Sequence, residues 1–83
     1  MAYTTIKTHE HTQSTPSNTW IIDHTLGYYP IVEVFVNNNG KIVKIMPLDV
    51  EQVSISQVKV TFSGNFTGFA RLAYLKMTIL DIF

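Results

Sequence analysis

His9-Glu10-His11 set two imidazoles two residues apart. On an extended strand alternate residues share a face, so the two rings project together, about 6.5–7 Å apart. Two nitrogens do not complete the four-ligand shell typical of zinc. One chain is therefore expected to hold no metal, and His9 and His11 are the candidates if several chains pool them. The plainer reading has both as solvated histidines on an edge strand or arm. His24 is the third imidazole, just ahead of Leu26-Gly27-Tyr28-Tyr29-Pro30. A general base needs a nucleophile or a substrate pocket within reach. Ser54, Ser63 and Asp23 are available, but no nucleophile elbow or ordered triad surrounds them. His24 is read instead as holding the turn by hydrogen bonds to loop backbone. Asp49 and Glu51 are two separate carboxylates, whereas a glycosidase needs a defined pair across a cleft. The sequence thus predicts no catalytic residue and no cofactor.

Aromatic residues carry the other chemistry. Tyr28, Tyr29 and Phe66 fall in segments that read as loops, where such rings can stack on sugars or enter subunit contacts. Trp20 and Phe69 are also aromatic, with Trp20 read as core. Asn65-Phe66-Thr67 has the form of a glycosylation sequon. It is read as chance, because Met1–Thr5 has neither the basic start nor the apolar centre of a signal peptide.

The elements that position these residues follow from alternation. Thr19–His24 reads as a strand with Trp20 and Ile22 inward, and Gly27 and Pro30 shape the turn that follows. Ile31–Val36 is rich in β-branched residues, with Val32, Val34 and Val36 on one face. Asn39-Gly40 between two such runs is a strong hairpin signal, because both central residues of that turn need positive φ. Lys41–Met46 returns. Pro47–Glu51 reads as a connection, with a short strand at Gln52–Ser56. Val58, Val60 and Phe62 alternate with Lys59, Thr61 and Ser63, the clearest amphipathic strand of the chain. Gly64–Gly68 reads as a loop bracketed by glycines, and Phe69–Lys76 as a last strand with apolar residues on both faces. Ser14–Asn18 is a turn or loop by composition. Neither face of Tyr3–Gln13 is apolar enough to define a buried register, so it is an edge strand or an arm that orders on a neighbour.

Five to seven short strands separated by turn signals imply an all-β chain: a small antiparallel β-sandwich or partly open barrel. The expected core is Trp20, Ile22, Val34, Val58, Val60, Phe62, Leu72 and Tyr74. The expected divisions are an N-terminal arm and loop (1–18), the β-sandwich domain (19–76) and an apolar C-terminal docking tail (77–83). The tail, Met77–Phe83, either closes the chain's own core or inserts into a neighbour by edge pairing. Ile79, Leu80, Ile82 and Phe83 are its candidate contact residues, beside His9, His11, Gln13, Tyr28, Tyr29 and Phe66.

Composition narrows the partners. Eighty-three residues bury only about 60–65% of the surface of the unfolded chain, and with no cysteine there is no disulfide to compensate. Hydrophobic residues make up 46% and charged residues 14%, so part of the apolar surface is expected to lie under other chains. Six basic residues balance six acidic ones without a basic run, which argues against nucleic acid. No apolar run reaches the ~20 residues of a membrane helix.

Trp20-Ile21-Ile22-Asp23-His24-Thr25-Leu26-Gly27 and Pro30, preceded by His11-Thr12-Gln13 and Pro16, resemble a small β-domain of tailed-bacteriophage virion proteins. Val32, Val34 and Val36, the turn ending at Gly40, Val58–Phe62 and Gly68–Leu72 continue the pattern in order, over about residues 8–75. The segment Val60–Gly68 is similar to the family's closing strand and aromatic loop. The resemblance implies a non-enzymatic structural protein of the virion, assembled in the host cytoplasm. It would dock on tail, fibre, neck, baseplate or capsid proteins, as a decoration-type component in the last case. A homo-oligomer is expected, with a trimer favoured, and a host-surface glycan is the alternative partner. The H-x-H pair also resembles the iron-binding pairs of some trimeric phage fibres, while His11 within His-Thr-Gln favours a structural hydrogen bond.

Overall fold

The computed structural model describes residues 2–79, with side chains for residues 6–75. Five antiparallel strands form one sheet: β1 (Ala2–Asp23), β2 (Ile31–Asn38), β3 (Lys41–Ile45), β4 (Asp49–Ser54) and β5 (Gln57–Ile79). β1 and β5 have 22 and 23 residues and run the length of a body 55 × 25 × 19 Å. The order is β1-β5-β2-β3, with β4 also on β5. β5 is the spine. Its first part carries β1 on one side and β4 on the other, and its later part carries β1 and then β2.

Two expected loops are absent as loops. Ser14–Asn18 lies within β1 and Gly64–Gly68 within β5. The β1–β5 register shifts between Gln13 and Ser17 and again between Ser17 and Thr19. Serine, proline, asparagine and glycine mark bulges as readily as turns, and a bulge bends a strand without ending it. Here two bulges on paired strands fold the sheet across itself. The result is one antiparallel five-stranded sheet, in keeping with a small β-sandwich or open barrel, built on two long strands rather than many short ones.

The bend brings inward-facing residues of both halves together. Trp20, Ile22, Leu26, Val34, Val36, Val58, Val60, Phe62, Ala70 and Leu72 are buried. Seven of the eight expected core residues are among them, and Tyr74 packs on their margin. The Asn39-Gly40 turn has φ of 53° and 85°, and Gly40 N–H donates to Asn37 Oδ1 at 2.9 Å. Asp49 and Val50, expected in a connection, already pair with Thr61 and Val60.

The segment Tyr3–Gln13 is an edge strand of this chain, not an arm waiting for a neighbour. Ala2 to Gln13 pairs with Ile79 to Gly68. β2 ends its pairing at Ile31↔Ala73, so the β1–β5 ribbon continues beyond the rest of the sheet. Leu80, Ile82 and Phe83 of the expected tail lie outside the described residues, while Ile79 pairs with Ala2 through its backbone. Among the described residues no helix is long and apolar enough to cross a membrane.

Candidate functional site

His9 and His11 pair with Leu72 and Ala70. They therefore face the core side and are half-buried. Gln13 Nε2–H donates to Thr15 O at 2.8 Å, which leaves Gln13 Oε1 to accept from His11 Nε2–H at 2.8 Å. The His11 ring lies 6.0 Å from that of Trp20. His11 and Gln13 thus close the inner face at the β1 bulge. Among the described residues no three histidines, cysteines or carboxylates come together as a metal site.

His24 is 3% exposed. Its backbone N–H donates to Ser56 O at 2.9 Å, and its Nδ1 accepts the Leu26 N–H at 3.3 Å. A neutral ring with Nδ1 as acceptor carries its proton on Nε2, and that buried nitrogen has no partner among the described residues. Burial, and then the charge of His9, hold the His24 pKa below its ordinary 6.5, with Asp23 opposing. The unfolded chain takes up a proton near that ordinary value, and the folded chain only at lower pH. Stability is therefore complete above the unfolded value and declines as pH falls toward the folded one. A thermal midpoint lower at about pH 5 than at about pH 7 is expected, with a smaller drop in His24→Gln. Equal drops in the two proteins would discount His24 as the cause.

Gly27, with φ of 86°, turns the chain into Tyr28 and Tyr29, which are both exposed. Their rings meet edge-on at 5.1 Å, and Tyr28 leans on Tyr74 at 5.7 Å. Pro30 is buried, and its carbonyl accepts from Gln52 Nε2 at 2.8 Å. Phe66, expected at a loop tip, is half-buried within β5. Its ring meets Phe62 edge-on at 5.7 Å, and its carbonyl accepts from Trp20 Nε1 at 3.3 Å. Of the expected contact residues whose side chains are described, only the two tyrosines form an exposed aromatic pair.

Two surfaces stand out from the geometry. The first is the rim where β3 and β4, each with one edge unpaired among the described residues, are joined by Met46–Leu48. Met46 and Leu48 are 93% and 71% exposed. Beside them, a cleft of about 410 Å³ runs between Val32, Val34, Ile45 and Val50. The second is the outer face of β1-β5-β2-β3. There Arg71 lies 5.5 and 5.4 Å from the Phe35 and Phe69 ring centres, and those rings stack at 4.8 Å. Arg71 Nε donates to Glu10 at 3.3 Å, and Lys44 Nζ donates to Glu33 at 2.9 Å. That hydrogen bond, followed by the Lys44 charge itself, holds the Glu33 carboxyl below its ordinary pKa. Sequence singles out none of Ile31, Glu33, Phe35, Lys44, Phe69 and Arg71 as a contact residue. It does show apolar residues on both faces of Phe69–Lys76, but only the register shows which strands lie beside them.

No family model, curated protein or solved structure matches this chain.

Proposed function

We propose that the chain is a non-enzymatic structural protein of a tailed-phage virion, self-associating and docking on tail, neck, baseplate or capsid proteins. The observation that carries this reading is large exposed aliphatic side chains beside free strand edges. Met46 and Leu48 between β3 and β4 are the most exposed of them. Free backbone groups on an edge recruit another strand, and apolar neighbours add burial when they do. The family resemblance supplies the setting, and the low charge agrees with surfaces that are covered after assembly. Gold-labelled antibody on purified particles tests it. A regular label at one place on every particle is expected, and unlabelled particles from an infection that produces the protein would remove the reading.

A second reading, glycan recognition, rests on the exposed Tyr28–Tyr29 pair. On immobilised polysaccharides, reproducible binding lost in Tyr28→Ala or Tyr29→Ala would favour it.

A further inference from the structure

We propose that the outer face of β1-β5-β2-β3 is a twofold interface with a second copy of this chain; the inference deepens the self-association in the reading above. It assigns a pairwise contact, in place of the threefold one expected from the resemblance.

The argument is the self-complementarity of three successive rows on that face. Glu10 pairs with Arg71, and Arg71 with Glu33. Lys44 pairs with Phe35, one row along on β3, and its ammonium reaches back to Glu33 at 2.9 Å. Across β1, β5, β2 and β3 the charges thus read minus, plus, minus, plus. A second copy stacked face to face, with the twofold axis along the strands between β5 and β2, presents the same row reversed. Arg71 then faces Glu33 of the second copy, and Glu10 faces the ammonium that the second copy's Lys44 extends from the Phe35 row. Every position meets the opposite sign. A row of like charges, or a symmetric row such as minus, plus, plus, minus, would meet its own sign.

The neighbouring rows obey the same operation. Phe69 pairs with Phe35, so Phe69 faces Phe35 of the second copy and the contact there is apolar on both sides. On the opposite side of the charges, Ala73 pairs with Ile31. Ile31 is 66% exposed, and it borders a hollow of about 360 Å³ lined also by Thr8, Ala73, Glu10, Glu33 and Arg71. The twofold puts Ile31 of each copy over the Ala73 hollow of the other. The axis also keeps the strands of both copies nearly aligned, the common arrangement of stacked sheets, about 10 Å apart. An isologous contact of this kind requires a patch complementary to itself. A foreign partner gives no reason for the reversal to match.

The test is the absolute mass of the full chain by light scattering over a concentration series. Twice the chain mass is expected. Ile31→Asp places a carboxylate in the hollow, and its dissociation constant is expected to rise roughly a hundredfold, with an unchanged thermal midpoint at concentrations where both proteins are monomeric, because Ile31 is exposed in the single chain. Ile21→Asp, on the outer face of the other half of the sheet and 48% exposed, leaves the mass unchanged. Arg71→Glu sets a carboxylate against Glu33 of the second copy and weakens the dimer by about tenfold or more. Arg71→Glu with Glu33→Arg restores it. The double variant has minus, minus, plus, plus, which is again opposite at every position when reversed. Within one chain the attraction regained between positions 33 and 71 is offset by the arginine at position 33 meeting Lys44, while the Glu10–Arg71 pair stays broken. Recovery therefore reports the contact between copies. A monomer at every concentration, an oligomer indifferent to Ile31→Asp, or a double variant no tighter than Arg71→Glu would each overturn the proposal. Particles that label for a monomeric protein would leave the virion reading standing without this contact, and a dimer absent from particles would do the reverse.

Discussion

Gly68→Ala is expected to cost about 4 kcal/mol or more, among the largest effects a single methyl group can have. Gly68 sits at φ 155° where β5 passes β2 at Val36. A β-carbon there would lie 2.0 Å from Phe35 O, 2.8 Å from Val36 Cα and 3.0 Å from Phe35 C. All three are backbone atoms, so no rotamer change relieves them. The strands must part, and Val34 and Val36 are buried by their closeness. A domain of this size has roughly 4–12 kcal/mol in hand, at 0.05–0.15 kcal/mol per residue. The variant is therefore largely unfolded at room temperature or close to it. Gly64→Ala is the control, because its new methyl meets only the Phe66 ring at 3.8 Å. Its effect is expected within about 0.5 kcal/mol. Urea midpoints separate the two, and matching midpoints would mean that β5 and β2 do not approach so closely.

The same glycine shows what sequence could and could not reveal. Period-two alternation identifies the buried faces of Trp20–Ile22, Val58–Phe62 and the valines of β2, and Asn39-Gly40 identifies its hairpin. Those are local signals, read from residues a few positions apart. Gly68 reads locally as the end of a loop. Its role comes from Phe35 and Val36, more than thirty residues earlier, and no local rule reports that approach. Ser14–Asn18 and Gly64–Gly68 both read as loops for the same reason. A break in alternation shows that a strand is disturbed. It does not show that the disturbance is shared with a paired strand and continues beyond it. The outer face is hidden more completely. Glu10, Glu33, Lys44 and Arg71 are single charges in their own segments; register sets Glu10, Arg71 and Glu33 in one row, which the Lys44 side chain joins from the next. Alternation alone puts His9 and His11 on one face. That this face is the inner one depends on where β5 passes, because the Thr-rich strand has no apolar side of its own.

Trp20 joins the two bulges, and two substitutions there should divide its roles. Its ring is fully buried and packs on Phe62 at 4.6 Å. Its Nε1–H is shared between Ser17 O at 3.2 Å and Phe66 O at 3.3 Å. Those carbonyls belong to the β1 bulge and the β5 bulge, so one N–H ties both bends to the core. Trp20→Ala removes the volume as well and is expected to cost about 3–5 kcal/mol, enough to unfold much of the protein. Trp20→Phe keeps an apolar ring against Phe62 but leaves both carbonyls without their donor. Losing a donor to partly buried acceptors costs about 1–3 kcal/mol. The tyrosines and phenylalanines remain in both variants, so far-ultraviolet dichroism and hydrogen exchange serve for each. In Trp20→Phe the backbone around Ser17 and Phe66 should exchange faster, while the β2–β5 ladder from Ile31 to Val36 stays protected. That pattern would assign the N–H to the bend and the ring volume to the core. Uniform loss of protection in Trp20→Phe would instead mean that the bend and the core form as one unit, and that the bulges have no stability apart from it.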